Sequence, residues 1–157
     1  MTKNVMLTGG LGFIGSHTCI ELIEKGYSVF ILDNLSNSSR SVLDTLKVIT
    51  GREIPFCEGD VCDEQLVGQF LHANKIDSVI HFAGSKSVNE SVSEPLHYYE
   101  NNVIGTISLL KVMNRYGVKK IIFSSSASVY GDPKYKPIVE LHPLHPTSPY
   151  AQTKKTS

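Results

Sequence analysis

Three pairs in the 157-residue sequence place a tyrosine four residues before a lysine: Tyr116/Lys120, Tyr130/Lys134 and Tyr150/Lys154. On one helix face this spacing sets a phenol one turn from an ammonium, whose charge favours the phenolate and makes the tyrosine a base at working pH. Gly117 follows the first tyrosine at a helix stop, and Gly131-Asp132-Pro133 interrupts the second pair, so neither can share a face. Tyr150 and Lys154 can, because Ser148 and Pro149 supply an N-cap and a first-turn proline immediately before them. A hydroxyl run, Ser124-Ser125-Ser126-Ala127-Ser128, adds groups able to bond a substrate oxygen. Taken singly, these features also fit an amphipathic helix start with an exposed tyrosine and lysine, and a serine-rich turn.

A second constellation lies at the other end. Thr8-Gly9-Gly10-Leu11-Gly12-Phe13-Ile14-Gly15 falls between an apolar run and a helical one, which puts Gly9, Gly12 and Gly15 where a dinucleotide fold needs them. One makes the tight turn, one admits a pyrophosphate to the backbone, and one lets helix and strand pack closely, while the helix N-terminus offers unpaired N–H groups and a positive dipole end. Asp33 ends the next apolar run, where a carboxylate accepts hydrogen bonds from a ribose diol and repels the 2′-phosphate of NADP, so NAD is the expected cofactor. Gly59-Asp60-Val61 and Phe82-Ala83-Gly84 follow two further apolar runs, as ligand-side loops or as ordinary turns. With a nicotinamide present, serine, tyrosine and lysine suit removal of an alcohol proton while a hydride departs.

The elements that must position these groups alternate strand and helix. Strands are expected at Asn4–Thr8, Ser28–Asp33, Ile54–Glu58, Ser78–His81 and Lys120–Ser124, each short and apolar as in a buried parallel sheet. The first helix is expected over Phe13–Lys25 and the fourth over Leu96–Tyr116, after Pro95 and before Gly117, with two others between them. The fold class is therefore α/β, a Rossmann-like doubly wound parallel sheet. Five prolines from Tyr130 to Pro149, counting Pro149, make that segment a long loop. His142 and His145 in it have no cysteine or carboxylate at metal spacing and are expected in solvent, and His81 reads as a core or sheet-edge residue. Cys19, Cys57 and Cys62 match no common ligand motif and are expected as reduced thiols, so no metal is expected. Fifteen basic and fifteen acidic residues balance, which argues against a nucleic-acid or anionic-membrane partner. The lack of a long apolar stretch or leader points to the cytoplasm.

Together the motifs resemble the extended short-chain dehydrogenase/reductase family from Val5 to about Lys154. Gly9–His17 (GGLGFIGSH), Leu32–Ser38, Val79–Lys86, Tyr99–Asn102 and Phe123–Gly131 (FSSSASVYG) are similar to its nucleotide-sugar 4-epimerases in particular. The resemblance implies that Phe13, Ile14, Asp33, Asn34, Leu35, Ser36, Asn37, Ser38, Asp60, Val61, Phe82, Ala83, Gly84, Lys86, Asn101, Ser124, Tyr150 and Lys154 contact NAD. It implies that Lys86, Ser126 and Tyr150 face the sugar. The implied reaction interconverts UDP-glucose and UDP-galactose without net redox: Tyr150 takes the proton of the sugar 4-hydroxyl, Lys154 holds the nicotinamide ribose, and Ser126 bonds the 4-oxygen. A related dehydratase is expected to carry an acid pair where this chain has Ala127-Ser128, and the family usually has glycine where it has Ala151. Members are longer, so residues 1–157 are expected to be an incomplete NAD-binding domain, truncated before the last strands and without the C-terminal substrate domain that holds the uridine nucleotide. The family's homodimer uses the fourth helix and the Tyr150 helix; a helix this short is marginal alone, which argues against that dimer here. Two alternatives remain open: a non-catalytic NAD-binding remnant, and a family member acting on another nucleotide sugar.

Overall fold

The computed structural model describes residues 3–157. In chain order the elements are β1 (Asn4–Thr8), α1 (Phe13–Glu24), β2 (Ser28–Asp33), α2 (Ser41–Thr50), β3 (Phe56–Glu58), α3 (Glu64–Ala73) and β4 (Ser78–His81). There follow α4 (Val88–Ser93), α5 (Pro95–Tyr98), a π-helical segment (Tyr99–Ile104), α6 (Gly105–Arg115), β5 (Lys120–Phe123), a 3₁₀ turn (Ala127–Tyr130) and α7 (Pro149–Thr156). They form two compact units, one of residues 3–83 with 108–124, the other of 84–107 with 125–157. Among the described residues no helix is long and apolar enough to cross a membrane.

The first unit is a parallel sheet in the order β3-β2-β1-β4-β5. Alternation along the strands sends side chains to two separate cores, as the period of two requires. Val5, Leu7, Val29 and Ile31 meet Cys19 and Ile23 of α1 and Leu46 of α2 on one face. Met6, Leu32 and Val79 meet Val67 and Leu71 of α3 and Leu109, Val112 and Met113 of α6 on the other. Helices on both faces make the sheet doubly wound. Strand order reverses between β1 and β4, and in open α/β sheets ligands bind at the carboxyl ends beside such a switch point.

The second unit groups α4, α5, the π segment and the 3₁₀ turn around α7, which packs against each of them. The expected helix from Leu96 to Tyr116 is interrupted. Asn101 and Asn102 are weak helix formers, and the Asn102 carbonyl also takes the Thr106 hydroxyl at 2.6 Å, which favours the wider π turn between α5 and α6. β3 begins two residues later than expected because Pro55 has no N–H for the ladder, although its carbonyl still receives Ile31 N–H at 2.9 Å. β5 ends at Phe123, one residue early.

Segment 131–148 carries no helix or strand, as the prolines require. His145 is exposed, but the expectation of a solvated His142 is overturned. His142 is buried, its Nε2 accepts Lys134 N–H at 3.1 Å, and the Tyr135 ring lies 4.4 Å from its own. Tyr130 and Tyr135 wall it off, a contact that sequence spacing in an irregular loop does not reveal. All three cysteines are free; burial pushes the Cys19 thiol up to about 12 and raises Cys57 and Cys62, which leaves them poor nucleophiles.

Candidate active site

In the first unit the cradle is built at the carboxyl end of β1. Gly9 has φ +67°, and a Cβ there would lie 2.7 Å from Ala83 N, so the turn after β1 runs backbone to backbone against the turn after β4. A Cβ on Gly15 would lie 2.5 Å from Gly9 O, so only glycine lets α1 start this close to the turn. Gly12 N–H bonds Gly9 O at 3.2 Å, and Gly12 itself begins α1 with no side-chain cap. The first-turn N–H groups of α1, at the positive end of its dipole, are thus matched to an anionic group. Phe13 and Ile14 stand at that helix start 77% and 60% exposed, unusual positions for large apolar side chains.

Asp33 does more than the sequence indicated. Its Oδ2 accepts Leu11 N–H at 3.0 Å; its Oδ1 accepts Leu35 N–H at 3.0 Å and the Ser38 hydroxyl at 2.9 Å. The buried carboxylate therefore ties the glycine turn to the 34–38 loop and supports the left-handed backbone of Leu35, φ +59°. A carboxylate has about four acceptor positions, and three are used. Beyond it, Asp60 accepts Cys62 N–H and Asn34 Nδ2–H, both at 2.8 Å. Burial pushes the Asp60 carboxyl up, but these hydrogen bonds outweigh it and hold it below the ordinary value. Val61 is buried beside it, Ser36 N–H bonds Asn34 Oδ1, and Ser36 and Asn37 are exposed. Phe82 and Ala83 continue β4, and Ser124 continues β5 through a 3.1 Å bond from its N–H to His81 O.

In the second unit, α7 carries the phenol and ammonium. Ser148 is extended and its Oγ accepts Ala151 N–H at 3.2 Å, while Pro149 opens the first turn, so the expected cap is in place. Tyr150 is half-buried and Lys154, one turn on, is only 8% exposed. Burial lowers the Lys154 ammonium below its ordinary value. The other two pairs separate: Tyr116 follows α6 while Lys120 opens β5, and Tyr130 ends the 3₁₀ turn while Lys134 lies in the loop. Ser126 caps the 3₁₀ turn that α7 packs against, accepting Ser128 N–H at 3.2 Å. Lys86 is exposed, and Asn101 Nδ2 donates to Ser85 Oγ at 3.0 Å.

Sequence reasoning passed over the groups that hold these residues still. The buried Asn102 carboxamide accepts from Ser85 N–H (2.8 Å) and Asn101 Nδ2 (3.2 Å), and donates to Ser85 O and Thr153 Oγ1 (3.0 Å each). All four of its positions are filled, and Thr153 sits between Tyr150 and Lys154. Gly84 has φ +155°, a backbone that side chains rarely adopt, and a Cβ there would lie close against Asn102 Oδ1 at 3.0 Å. The buried Tyr98 packs edge-to-face on Tyr150, centroids 6.3 Å apart, and its hydroxyl donates to Glu90 Oε2 at 2.6 Å and accepts Ser87 N–H at 2.9 Å. Burial and the Glu90 bond push the Tyr98 phenol up to about 12, so it stays protonated and acts as a prop. An adjacent Asn pair inside a helical stretch was the one available signal for this cluster.

Residues 6–157 match the family described as GDP-mannose 4,6 dehydratase. The chain is similar to UDP-glucose 4-epimerase of Bacillus subtilis, 54% identical over 150 residues that make up 96% of this chain and 44% of that protein. It is 53% identical to UDP-glucose 4-epimerase of Dictyostelium discoideum over 96% of this chain and 45% of the relative. Among solved structures, UDP-glucose 4-epimerase of Stenotrophomonas maltophila with bound NAD and formylated UDP-arabinopyranose superposes with TM-score 0.96 at 42% identity, covering 98% of this chain and 46% of that one. The Bifidobacterium longum enzyme in complex with NAD+ and UDP gives TM-score 0.95 at 51% identity, with the same coverage. The chain spans less than half the length of the curated relatives it matches.

Proposed function

Because the chain belongs to the GDP-mannose 4,6 dehydratase family, we propose that it holds NAD and carries the catalytic residues of a UDP-glucose 4-epimerase. The observation that carries this reading is α7, which sets Tyr150 and a buried Lys154 one turn apart behind a working cap. The similarity to epimerases supports it over dehydration, and so does Ala127-Ser128, where a dehydratase would carry an acid pair.

The residues fit the cofactor. The glycine cradle and the uncapped start of α1 suit a pyrophosphate, with Gly9, Gly12, Phe13, Ile14 and Gly15 around it. Asp33 has one acceptor position left for a ribose hydroxyl, and Asn34, Leu35, Ser36, Asn37 and Ser38 complete that side. Asp60 and Val61 would serve the adenine, and Phe82, Ala83 and Ser124 line the strand ends. In the second unit Gly84, Lys86, Asn101, Tyr150 and Lys154 would serve the nicotinamide end, and Lys86, Ser126 and Tyr150 the sugar. When bound, NAD supplies the hydride acceptor and donor at sugar C4. Tyr150 takes the proton of the 4-hydroxyl and later returns it, Lys154 favours the phenolate by its charge, and Ser126 bonds the 4-oxygen. A second reading is a unit that holds NAD without turning sugar over.

Calorimetry with NAD tests the cofactor: one-to-one binding is expected, with NADP much weaker because a 2′-phosphate would face Asp33. No affinity for NAD overturns the reading. Conversion of UDP-galactose to UDP-glucose tests the chemistry. A converting chain should lose roughly a hundredfold or more on Tyr150→Phe, which removes the only proton acceptor assigned; full activity in that variant rejects the phenolate role, and NAD binding without conversion selects the second reading.

A further inference from the structure

Ser126 does not stand alone. It enters the 3₁₀ turn in extended conformation, φ −149° and ψ 143°, and its Oγ receives Ser128 N–H at 3.2 Å and lies 2.8 Å from Ser128 Oγ. The N–H of Ser128, a donor, and its hydroxyl, able to donate or accept, thus meet at one oxygen. A serine hydroxyl has one hydrogen to give and two lone pairs to fill. The assignment of Tyr150 and Ser126 proposed above then fixes which way the hydrogens run. A phenolate can only accept, so the sugar 4-hydroxyl must give its hydrogen to Tyr150, and its oxygen can only accept from Ser126. After proton and hydride have left, the resulting carbonyl oxygen has no hydrogen at all and again only accepts. In both states Ser126 must donate outward.

We propose that Ser128 is a positioning residue whose hydroxyl donates to Ser126, so that its N–H and O–H together fill both lone pairs of Ser126 and leave the Ser126 hydrogen directed at the sugar 4-oxygen. This rests on the proposed epimerase reading for its purpose, and on the 2.8 Å and 3.2 Å contacts for its geometry. Among the described residues Ser126 Oγ is the side-chain partner of the Ser128 hydroxyl, and the residue between the two, Ala127, is exposed and offers no competing group.

Neutron diffraction from the perdeuterated chain reads the arrangement directly. The Ser128 hydroxyl deuteron should lie on the line to Ser126 Oγ, and the Ser126 deuteron should point away from the turn; a Ser126 deuteron aimed at Ser128 Oγ overturns the proposal. In sugar conversion, Ser128→Ala should lower kcat about tenfold, the worth of one orienting hydrogen bond, with KM and NAD affinity unchanged. Ser128→Thr keeps the hydroxyl and should restore kcat. Loss of kcat in both variants, or in neither, rejects the positioning role. If the unsubstituted chain converts no sugar, the epimerase reading fails for it, and the deuteron positions still decide the hydroxyl order.

Discussion

Lys154 shows how much one buried charge can report. Its ammonium is lowered by burial in the folded chain, whereas in the unfolded chain it titrates near the ordinary lysine value of about 10.4. Between the lowered value and the ordinary one the unfolded chain binds more protons, so stability rises with pH through that alkaline window. Lys154→Met is therefore expected to lose part of the alkaline rise. Urea unfolding at about pH 7 and about pH 10 checks this, and a parallel pH dependence in the two proteins rejects the account. At this scale the sequence was informative where chemistry and backbone constraint coincide: Gly9, Gly15, Asp33, Tyr150 and Lys154 stand out by type and spacing. Asn102 and Tyr98 do not, because their roles come from partners 17 and 8 residues away in sequence and from burial. The three donors on Asp33 were hidden for the same reason.

Among the elements, α7 depends most on its ends. It has eight residues, too few to persist in water without its cap and its neighbours. Ser148→Ala removes the acceptor for Ala151 N–H and is expected to cost about 1 kcal/mol. Amide hydrogen exchange should locate the loss in α7 before any change elsewhere, and uniform weakening across the chain would contradict it. The start of α7 was legible because serine and proline carry the cap and first-turn geometry in their own covalent structure. The π turn at Tyr99–Ile104 was not, since a helical pattern running from Leu96 to Tyr116 looks continuous until Asn102 is seen bonded to Ser85 and Thr153. The 3₁₀ turn at Ala127–Tyr130 was likewise missed, being set by hydroxyl contacts and not by apolar period.

For the whole molecule, the doubly wound sheet was readable because alternating strand and helix signals leave few topologies once crossovers are right-handed. The partition into two compact units was not, because one of them is assembled from segments 84–107 and 125–157, which lie apart in sequence. The sheet also has two unlike borders. β3 is three residues long, with Glu58 paired to Arg40 at 3.2 Å, whereas β5 borders the sheet beside β4 among the described residues and turns Ile122 outward, 63% exposed. A border strand with an exposed β-branched apolar residue is a template for strands of other molecules, and charge is the usual gatekeeper against it. Concentrated chain is therefore expected to self-associate into β-rich aggregates through β5. Ile122→Lys should raise the concentration at which light scattering begins without altering NAD affinity, and an unmoved threshold would place the sticky surface elsewhere.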